Sequence, residues 1–292
     1  MTYTYTEIPS WKTRLSIGGT CVEFVSCDIT EQKDLVADDG LRGTRTRQME
    51  RLALGQTHIG GSIVMQPTPA DMTLVLPFLL NSGNADLLTD IMQDVTVIVD
   101  TFTQASTYVG RFTRGTLSGS PGQPLNLKLD FVGKSASFAG GGTLSTAPDT
   151  SNRKYMFADS GSSTALTINS TAYSISKFEL VVDNKIVPTY MNGQLPTDLE
   201  PTDRICTLSI ETRYAVEQAL LTLAQAGPVI GSPLAGSIGF TNGTNSMGFT
   251  WAAMAAHSRT VSIPGGHQNL RLPLTYDLLG VSATKEMTTT LV

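Results

Sequence analysis

The chain has 292 residues, of which 40% are hydrophobic and 15% are charged, and its formal net charge is −5. Such a composition is typical of a globular protein, and the length suffices for two cores of ordinary size. The acidic balance argues against a dedicated nucleic-acid binder, because that class needs a basic surface to displace counterions from phosphate.

The N-terminal half begins with a predicted β-hairpin. Short apolar strands flank Gly18-Gly19, a pair that tolerates the positive φ of a two-residue turn. Residues 30–56 are rich in Gly, Asp and Arg without a sustained period, which predicts a long irregular loop. A strand over residues 59–64 then leads into a helix that ends before Gly83. The helix is predicted from an apolar stripe formed by Met72, Val75, Leu76, Leu79 and Leu80.

Two further strands of this half alternate between apolar and polar residues. Residues 95–100 carry Val95, Val97 and Val99 at every second position. Residues 125–131 likewise alternate Leu125, Leu127, Leu129 and Phe131 with Asn126, Lys128 and Asp130. This period predicts strands with one dry face and one wet face.

The C-terminal half shows the same order of signals. A hairpin is predicted around Asn169-Ser170, followed by a loop over residues 182–202 and a strand over residues 205–210. A helix is predicted from Val216, Leu220, Leu221 and Leu223, and a last strand from Leu270, Leu272 and Leu274. Gly- and Ser-rich stretches at residues 140–143 and 160–163 predict a flexible linker between the halves.

Two pairs of motifs indicate that the halves are repeats. Residues 121–129, PGQPLNLKL, recur 143 residues later as PGGHQNLRL, and LSIGGT at residues 15–20 recurs 151 residues later as LTINST. We therefore predict a mainly β protein with two tandem copies of one sandwich or barrel fold, each with one short helix. The copies cover residues 14–137 and 162–292, and residues 138–161 link them. Since duplicated domains often build symmetric assemblies, oligomerisation is expected.

The sequence contains no recognisable catalytic, cofactor or metal site. It lacks a Gly-x-Ser-x-Gly elbow and a phosphate-binding Gly-Lys loop, and His58, His257 and His267 have no helix-spaced or Cys-spaced partner. Cys21, Cys27 and Cys206 have no metal spacing and favour free thiols. A polar N-terminus without a signal peptide and the absence of a membrane-length apolar run predict synthesis in a cytoplasm and no membrane anchor. We expect neither an enzyme nor a cofactor.

A mixed-charge segment in the first predicted loop is the most unusual local feature. Its charged residues include Asp34, Asp38, Asp39, Arg42, Arg45, Arg47 and Arg51. A solvated loop is the simplest interpretation, but loops beyond about 12–15 residues in compact domains usually carry a function. The second copy has a shorter equivalent that contains Asp183, Asn184 and Lys185.

The order of hairpin, long charged loop, strand, helix and final antiparallel strands resembles the tail tube proteins of long-tailed, siphovirus-like bacteriophages. Residues 175–184, ISKFELVVDN, and residues 207–214, TLSIETRY, are similar to that family's second and third strands around its long loop. The resemblance implies a structural virion protein, made in the host bacterial cytoplasm, whose stacked rings form the hollow tube through which DNA passes during ejection.

The resemblance also implies the partners. Single-domain members of the family form hexameric rings, so a duplicated chain is expected to form homotrimeric rings with pseudo-sixfold symmetry. Tape measure, distal tail and tail terminator proteins are expected at the tube, with only transient passage of double-stranded DNA. The two loops, at residues 30–55 and around residues 183–203, are expected to contact the adjacent ring.

Two other classes of function fit parts of the sequence. A duplicated β-sandwich that binds a receptor or a carbohydrate, as in an adhesin, would also be rich in Ser and Thr. Sugar sites generally need exposed aromatic residues, however, and Trp11 and Trp251 are the only tryptophans. An enzyme ranks third because no acid, base and nucleophile occur together.

Overall fold

The structure is a computed structural model that describes most of the chain. The described residues are 12–37, 52–80, 92–140, 142, 144, 146–148, 153–157, 164–213, 219–220, 222–223, 234–259, 271–281 and 286–292. They form a mainly β fold of antiparallel strands, which confirms the predicted fold class.

The described residues of the N-terminal half form seven strands and one helix. The strands are β1 (Arg14–Ile17), β2 (Thr20–Val22), β3 (Ser26–Ala37), β4 (Leu52–Met65), β5 (Val95–Asp100), β6 (Gln104–Gly119) and β7 (Asn126–Gly140), and helix α1 (Pro69–Leu80) follows β4.

The C-terminal half contains eleven described strands. They are β8 (Thr164–Ile168), β9 (Thr171–Tyr173), β10 (Lys177–Asp183), β11 (Ile186–Thr189), β12 (Asp198–Pro201), β13 (Ile205–Arg213), β14 (Gly236–Thr241), β15 (Ser246–Trp251), β16 (Ala253–Arg259), β17 (Arg271–Leu279) and β18 (Thr288–Leu291). Ala219, Leu220, Thr222 and Leu223 are helical, and the rest of the second predicted helix lies outside the described residues.

The strands of each half follow the same order. In the N-terminal half the order is β3-β4-β7-β6, and β6 continues to β5, β1 and β2. In the C-terminal half the order is β10-β13-β17-β16, and β15, which Ala252 alone separates from β16, continues to β14, β8 and β9. Each half is thus a sandwich of two antiparallel layers whose core lies between the layers.

Alternation along the strands builds this core. Leu125, Leu127, Leu129 and Phe131 are buried, while the intervening Lys128 is exposed, as the period of two predicts. Leu272 and Leu274 are buried at the corresponding place in β17. The predicted dry face is therefore confirmed for the described residues of both strands.

Local signals fix the turns and the helix as predicted. Gly18, Gly19, Asn169 and Ser170 all have positive φ, which is the geometry of a two-residue turn with matching strand twist. Helix α1 starts with a capping box, in which the Thr68 backbone N–H donates to Asp71 Oδ2 at 2.8 Å and the Asp71 N–H donates to Thr68 Oγ1 at 3.2 Å. Its apolar stripe, the five residues from Met72 to Leu80 named above, is buried.

The prediction of an irregular segment over residues 30–56 is wrong at both ends. Strand β3 runs to Ala37 and β4 starts at Leu52, and the two pair along most of their length with a register shift near Asp34. The segment lacks a sustained apolar period because this extension of the hairpin is largely exposed. Pairing with a strand distant in sequence stabilises it instead. The second predicted loop likewise contains the hairpin β11–β12.

Part of the predicted flexible linker packs against the N-terminal half. The Tyr155 carbonyl accepts from the Leu125 N–H at 2.9 Å, and the Phe157 N–H donates to the Gln123 carbonyl at 3.0 Å. Tyr155 and Phe157 are both buried. Residues 153–157 therefore act as a short strand-like cover over the start of β7.

Candidate assembly interface

Strands of both halves belong to one sheet, which contains β3, β4, β7, β6, β10, β13 and β17, and one face of this sheet is polar. Residues that face each other in register share a face of the sheet. One row runs Ser26, Val64, Lys128, Thr116, Val181, Thr207 and Asp277, and a second runs Asn126, Ser118, Glu179, Ser209 and Thr275. Most of these side chains are short and polar, and Lys128 Nζ lies 3.1 Å from Asp130 Oδ1 on the same face. The other face of these strands is the buried core.

The two halves join edge to edge through β6 and β10. Strand β5 pairs with the first half of β6, and β10 pairs along the second half of the same edge, over residues 114–119. We call this contact the junction. It makes β3-β4-β7-β6-β10-β13-β17-β16 one continuous run of eight antiparallel strands.

Asn184 fastens the junction to helix α1. Its backbone N–H donates to the Thr113 carbonyl at 2.7 Å, and its Nδ2 donates to the Leu79 carbonyl at 3.0 Å and to the Phe112 carbonyl at 3.5 Å. The Leu79 carbonyl lies in the last helical turn, where the helix itself supplies no partner. The Asn184 amide is buried, so it satisfies a group that water does not reach.

Glycine 115 lets α1 approach this junction. A Cβ at this position of β6 would lie 2.3 Å from Leu79 Cδ2. A larger residue would have to displace the Leu79 side chain, so glycine lets the helix pack directly over the strand that receives β10.

The hairpin β11–β12 extends from β10 across the N-terminal half and packs on β7. Arg111 of β6 holds this hairpin. The Arg111 Nε lies 2.7 Å from Asp94 Oδ1, and Nη1 donates to the Leu199 carbonyl. The Nη2 atom lies 3.6 Å from Asp198 Oδ1. Leu199 is fully buried. A guanidinium that bridges two carboxylates and a carbonyl fixes the hairpin in one orientation.

The connection between β11 and β12 reaches β4. The Thr57 N–H donates to the Gln194 carbonyl at 2.7 Å, and the Tyr190 hydroxyl donates to the Thr57 carbonyl at 3.1 Å. The same hydroxyl lies 2.9 Å from His58 Nδ1, and His58 Nε2 lies 3.1 Å from Asp34 Oδ2. Burial, with the Asp34 carboxylate as the smaller cause, raises the pKa of Tyr190.

The run of eight strands has two free edges within the described chain. Strand β3 pairs only with β4, and β16 pairs only with β17. An unpaired edge offers a row of backbone donors and acceptors to another strand. These edges are therefore the candidate contact sites for a further copy of the chain.

The comparison with protein families decides the identity. The family model described as phage tail tube protein matches residues 4–278, which is almost the whole chain. The chain belongs to the phage tail tube protein family. The family is one of structural proteins of the virion tail rather than of enzymes. The mainly β fold accords with membership of this family. The comparison with curated proteins gives no match.

The predicted site residues of this tail tube protein lie in different parts of the structure. Asp34 lies in β3 rather than in a loop. Asp183 ends β10 and accepts from the Lys185 N–H at 3.0 Å, while Asn184 belongs to the junction. The other predicted residues of the first loop, namely Asp38, Asp39, Arg42, Arg45, Arg47 and Arg51, lie outside the described residues.

Other features of the tail tube protein were not predicted from its sequence. Arg111, Tyr190 and His58 each contact a residue that lies 88 or more positions away in the chain. No local spacing signals such contacts. Within the described part of the chain, no group of three metal-binding side chains occurs, and no helix is long and apolar enough to cross a membrane.

Proposed function

We propose that the chain polymerises as stacked rings into the hollow tail tube through which phage DNA passes during ejection. Each chain supplies two copies of the family fold, covering residues 14–137 and 162–292, and three chains close a ring of pseudo-sixfold symmetry. The tube then meets tape measure, distal tail and tail terminator proteins, which the family resemblance implies.

The duplication is supported by position as well as by strand order. Phe112 faces Phe131 and Ala256 faces Tyr276, and in both pairs of strands the register shifts at the next residue. The hairpins match in the same way, since Leu15 faces Val22 and Leu166 faces Tyr173. Below, two residues are called equivalent when they hold the same place in strand order and register.

The free edges supply the observation that carries the proposal. The edge strands β16 and β3 are equivalent to β6 and β10, which already pair at the junction. The chain therefore contains a template for its own assembly, in which β16 of one chain pairs with β3 of the next. Closing the run of strands in this manner removes every edge, which is how barrels avoid open-ended aggregation.

The template also fixes the register of this contact between chains, which we call the seam. At the junction Asp183 faces Arg114 and Val182 faces Gly115. The equivalent residues place Gln32 opposite Ser258 and Glu31 opposite Arg259. A seam shifted by one residue would turn the apolar face of the sheet towards water.

The polar face is the surface that would line the tube. A channel for DNA should not retain phosphate, so bases on its wall need neighbouring carboxylates. Lys128 beside Asp130 meets this requirement. On the same face, Arg114 stands in register with both Asp130 and Asp183, and the remaining residues of the two rows carry no basic side chain.

The charged segment over residues 38–51 is proposed to contact the adjacent ring. Arg42, Arg45 and Arg47 would pair with carboxylates across that contact. Residues 183–203 are proposed to make a smaller contact of the same kind.

A cysteine pair tests the seam directly. Residues opposite each other in antiparallel strands have Cα atoms about 4.5–5.5 Å apart, which suits a disulfide. The double variant Gln32→Cys with Ser258→Cys should, after mild oxidation of assembled protein, give covalent dimers and trimers on a denaturing gel. The parent chain, which has three cysteines of its own, provides the background.

A matched control shifts the register by one residue. Glu31→Cys with Ser258→Cys places the two thiols on opposite faces of the sheet, so it should stay monomeric on the gel. Equal cross-linking of both pairs, or none from the first pair in assembled tubes, would contradict the proposed seam. Ladders that extend to six chains would contradict the three-chain ring.

A further inference from the structure

The far end of the hairpin β3–β4 has an equivalent elsewhere in the chain. We call residues 35–37 with residues 52–54 the distal hairpin, in which Leu35 faces Leu54 and Ala37 faces Leu52. Cys27 of β3 and Phe178 of β10 are equivalent residues. Leu35 lies eight residues after Cys27, and Ile186 lies eight residues after Phe178. Leu54 lies nine before Ile63, as Pro201 lies nine before Ile210, and Ile186 faces Pro201. The distal hairpin is thus the equivalent of β11–β12.

The two hairpins differ in what covers them. In β11–β12, Leu199 is fully buried because the hairpin packs across the neighbouring N-terminal half. The equivalent of Leu199 is Leu52, which shares one face of the distal hairpin with Leu35 and Leu54. Leu35 is 63% exposed and Leu54 is 53% exposed. In the docked β11–β12, Ile186, the equivalent of Leu35, is half-buried, whereas Pro201, the equivalent of Leu54, stays exposed. Leu52 is half-buried where Leu199 is fully buried, so Leu35 and Leu52 are less covered than their equivalents.

The opposite face of the distal hairpin serves as an internal comparison. Val36 lies there and is 54% exposed, and its equivalent Val187 remains 51% exposed although β11–β12 is docked. Exposure of Val36 is therefore expected in the assembled state, whereas the 63% exposure of Leu35 is not.

A groove lies where the distal hairpin would have to dock. Residues 186–201 cover the N-terminal half at a site lined by His58, Ile59, Gly60, Val132 and Gly133. The five equivalent residues in the C-terminal half are Ile205, Cys206, Thr207, Asp277 and Leu278. All five line an open groove of about 660 Å³ between β13 and β17, and within the described part of the chain no hairpin lies over it. Exposed Ile205 and Leu279 form the apolar part of its wall.

We propose that this groove receives the distal hairpin of the next chain in the same ring, with Leu35 and Leu52 against Ile205 and Leu279. The inference rests on the proposed ring. In that ring β3 of the next chain lies beside β16, so its continuation crosses β17 and reaches β13, as β11–β12 crosses β7 and reaches β4.

The proposed contact of the distal hairpin with the next chain depends more on apolar burial than the contact of β11–β12 within the chain does. The equivalent of Arg111, which clamps β11–β12 through two carboxylates, is Ala255. The seam therefore lacks that ionic clamp, and the apolar face takes its place. Such a contact should resist salt, whereas an ionic clamp on the surface would not.

A charge placed on the apolar face tests the proposal. Leu52→Glu should raise the protein concentration needed for ring formation at least about tenfold, because the carboxylate would lose its water against the apolar wall of Ile205 and Leu279. Val36→Glu adds the same charge to the same hairpin on its outer face and should assemble like the parent. Circular dichroism and the urea midpoint of each monomer establish that both variants fold.

A complementary charge in the groove identifies the receiving surface. Combining Leu52→Glu with Ile205→Lys or with Leu279→Lys should restore at least part of the lost assembly, as seen by negative-stain microscopy and sedimentation. Loss of rings in Leu52→Glu with rescue by either lysine supports the contact.

Several results would overturn it. Leu52→Glu tubes of normal length would show that the face is not buried on assembly, and rings that form but fail to stack would place the hairpin against the adjacent ring. Absence of rescue by both lysines would show that the hairpin does not face this groove. If the parent chain forms no rings at all, the proposed function fails, and this contact fails with it.

Discussion

Replacing Asn184 by alanine should destabilise the folded monomer by about 1–3 kcal/mol, since the substitution leaves a buried carbonyl without a partner. The Asn184 Nδ2 donates at 3.0 Å to the Leu79 carbonyl, which ends helix α1, and this amide is only 4% exposed. Water does not reach the site, so the lost bond is not replaced. The backbone bond from Asn184 to Thr113 survives the substitution, which limits the effect to the side chain.

Urea unfolding below the concentration of assembly measures this effect, because ring formation would add its own stabilisation. Asn192→Ala removes the same amide from an exposed position and should change the free energy of unfolding by less than about 0.5 kcal/mol. An Asn184→Ala variant as stable as the Asn192→Ala control would refute the idea that this amide fastens the two halves together.

Three further predictions concern the core, the charged segment and the thiols. Leu127→Ala should cost about 2–5 kcal/mol in urea unfolding, and Lys128→Ala, one residue away on the polar face, less than about 0.5 kcal/mol; equal effects would reverse the assignment of faces. Deleting residues 38–47 should leave a normal circular dichroism spectrum and intact rings that do not stack, and normal-length tubes would place stacking elsewhere. Burial raises the pKa of Cys206 to about 12 from an ordinary 9.0. The unfolded thiol therefore loses its proton first, and stability should fall as pH rises from 9. Cys206→Ala should flatten that fall, whereas an unchanged pH profile would contradict the assigned burial.

The sequence predicts those elements whose signals are local. Positive φ at Gly18-Gly19 and at Asn169-Ser170 follows from residue type alone. The helical stripe and the alternation from Leu125 to Phe131 follow from the period of burial on one face. Each of these features needs only neighbours within a few residues, so a pattern in the sequence suffices.

The assembly surfaces depend on contacts that are distant in the sequence. Asn184 lies 105 residues from Leu79, and Arg111 lies 88 residues from Leu199. The extension of β3 to Ala37 is stabilised by pairing with β4, although its own residues have the composition of a loop. A polar, charged strand and a polar, charged loop look alike until the partner strand is known.

The family resemblance and the strand order contribute different information. The resemblance predicts rings, because it concerns what similar chains assemble into. The free edges of β3 and β16, and the junction that serves as the template for their proposed pairing, are visible only in the structure. Together they specify which backbone edges should meet and in which register.

Native mass spectrometry of rings released from tubes tests the central claim most directly. In the proposed ring each chain contributes two copies of the family fold, joined through the β6–β10 junction, so a closed ring should contain three chains. A ring mass equal to six chains, or a mixture of ring sizes without a dominant trimer, would contradict the account of two copies joined by their own assembly contact.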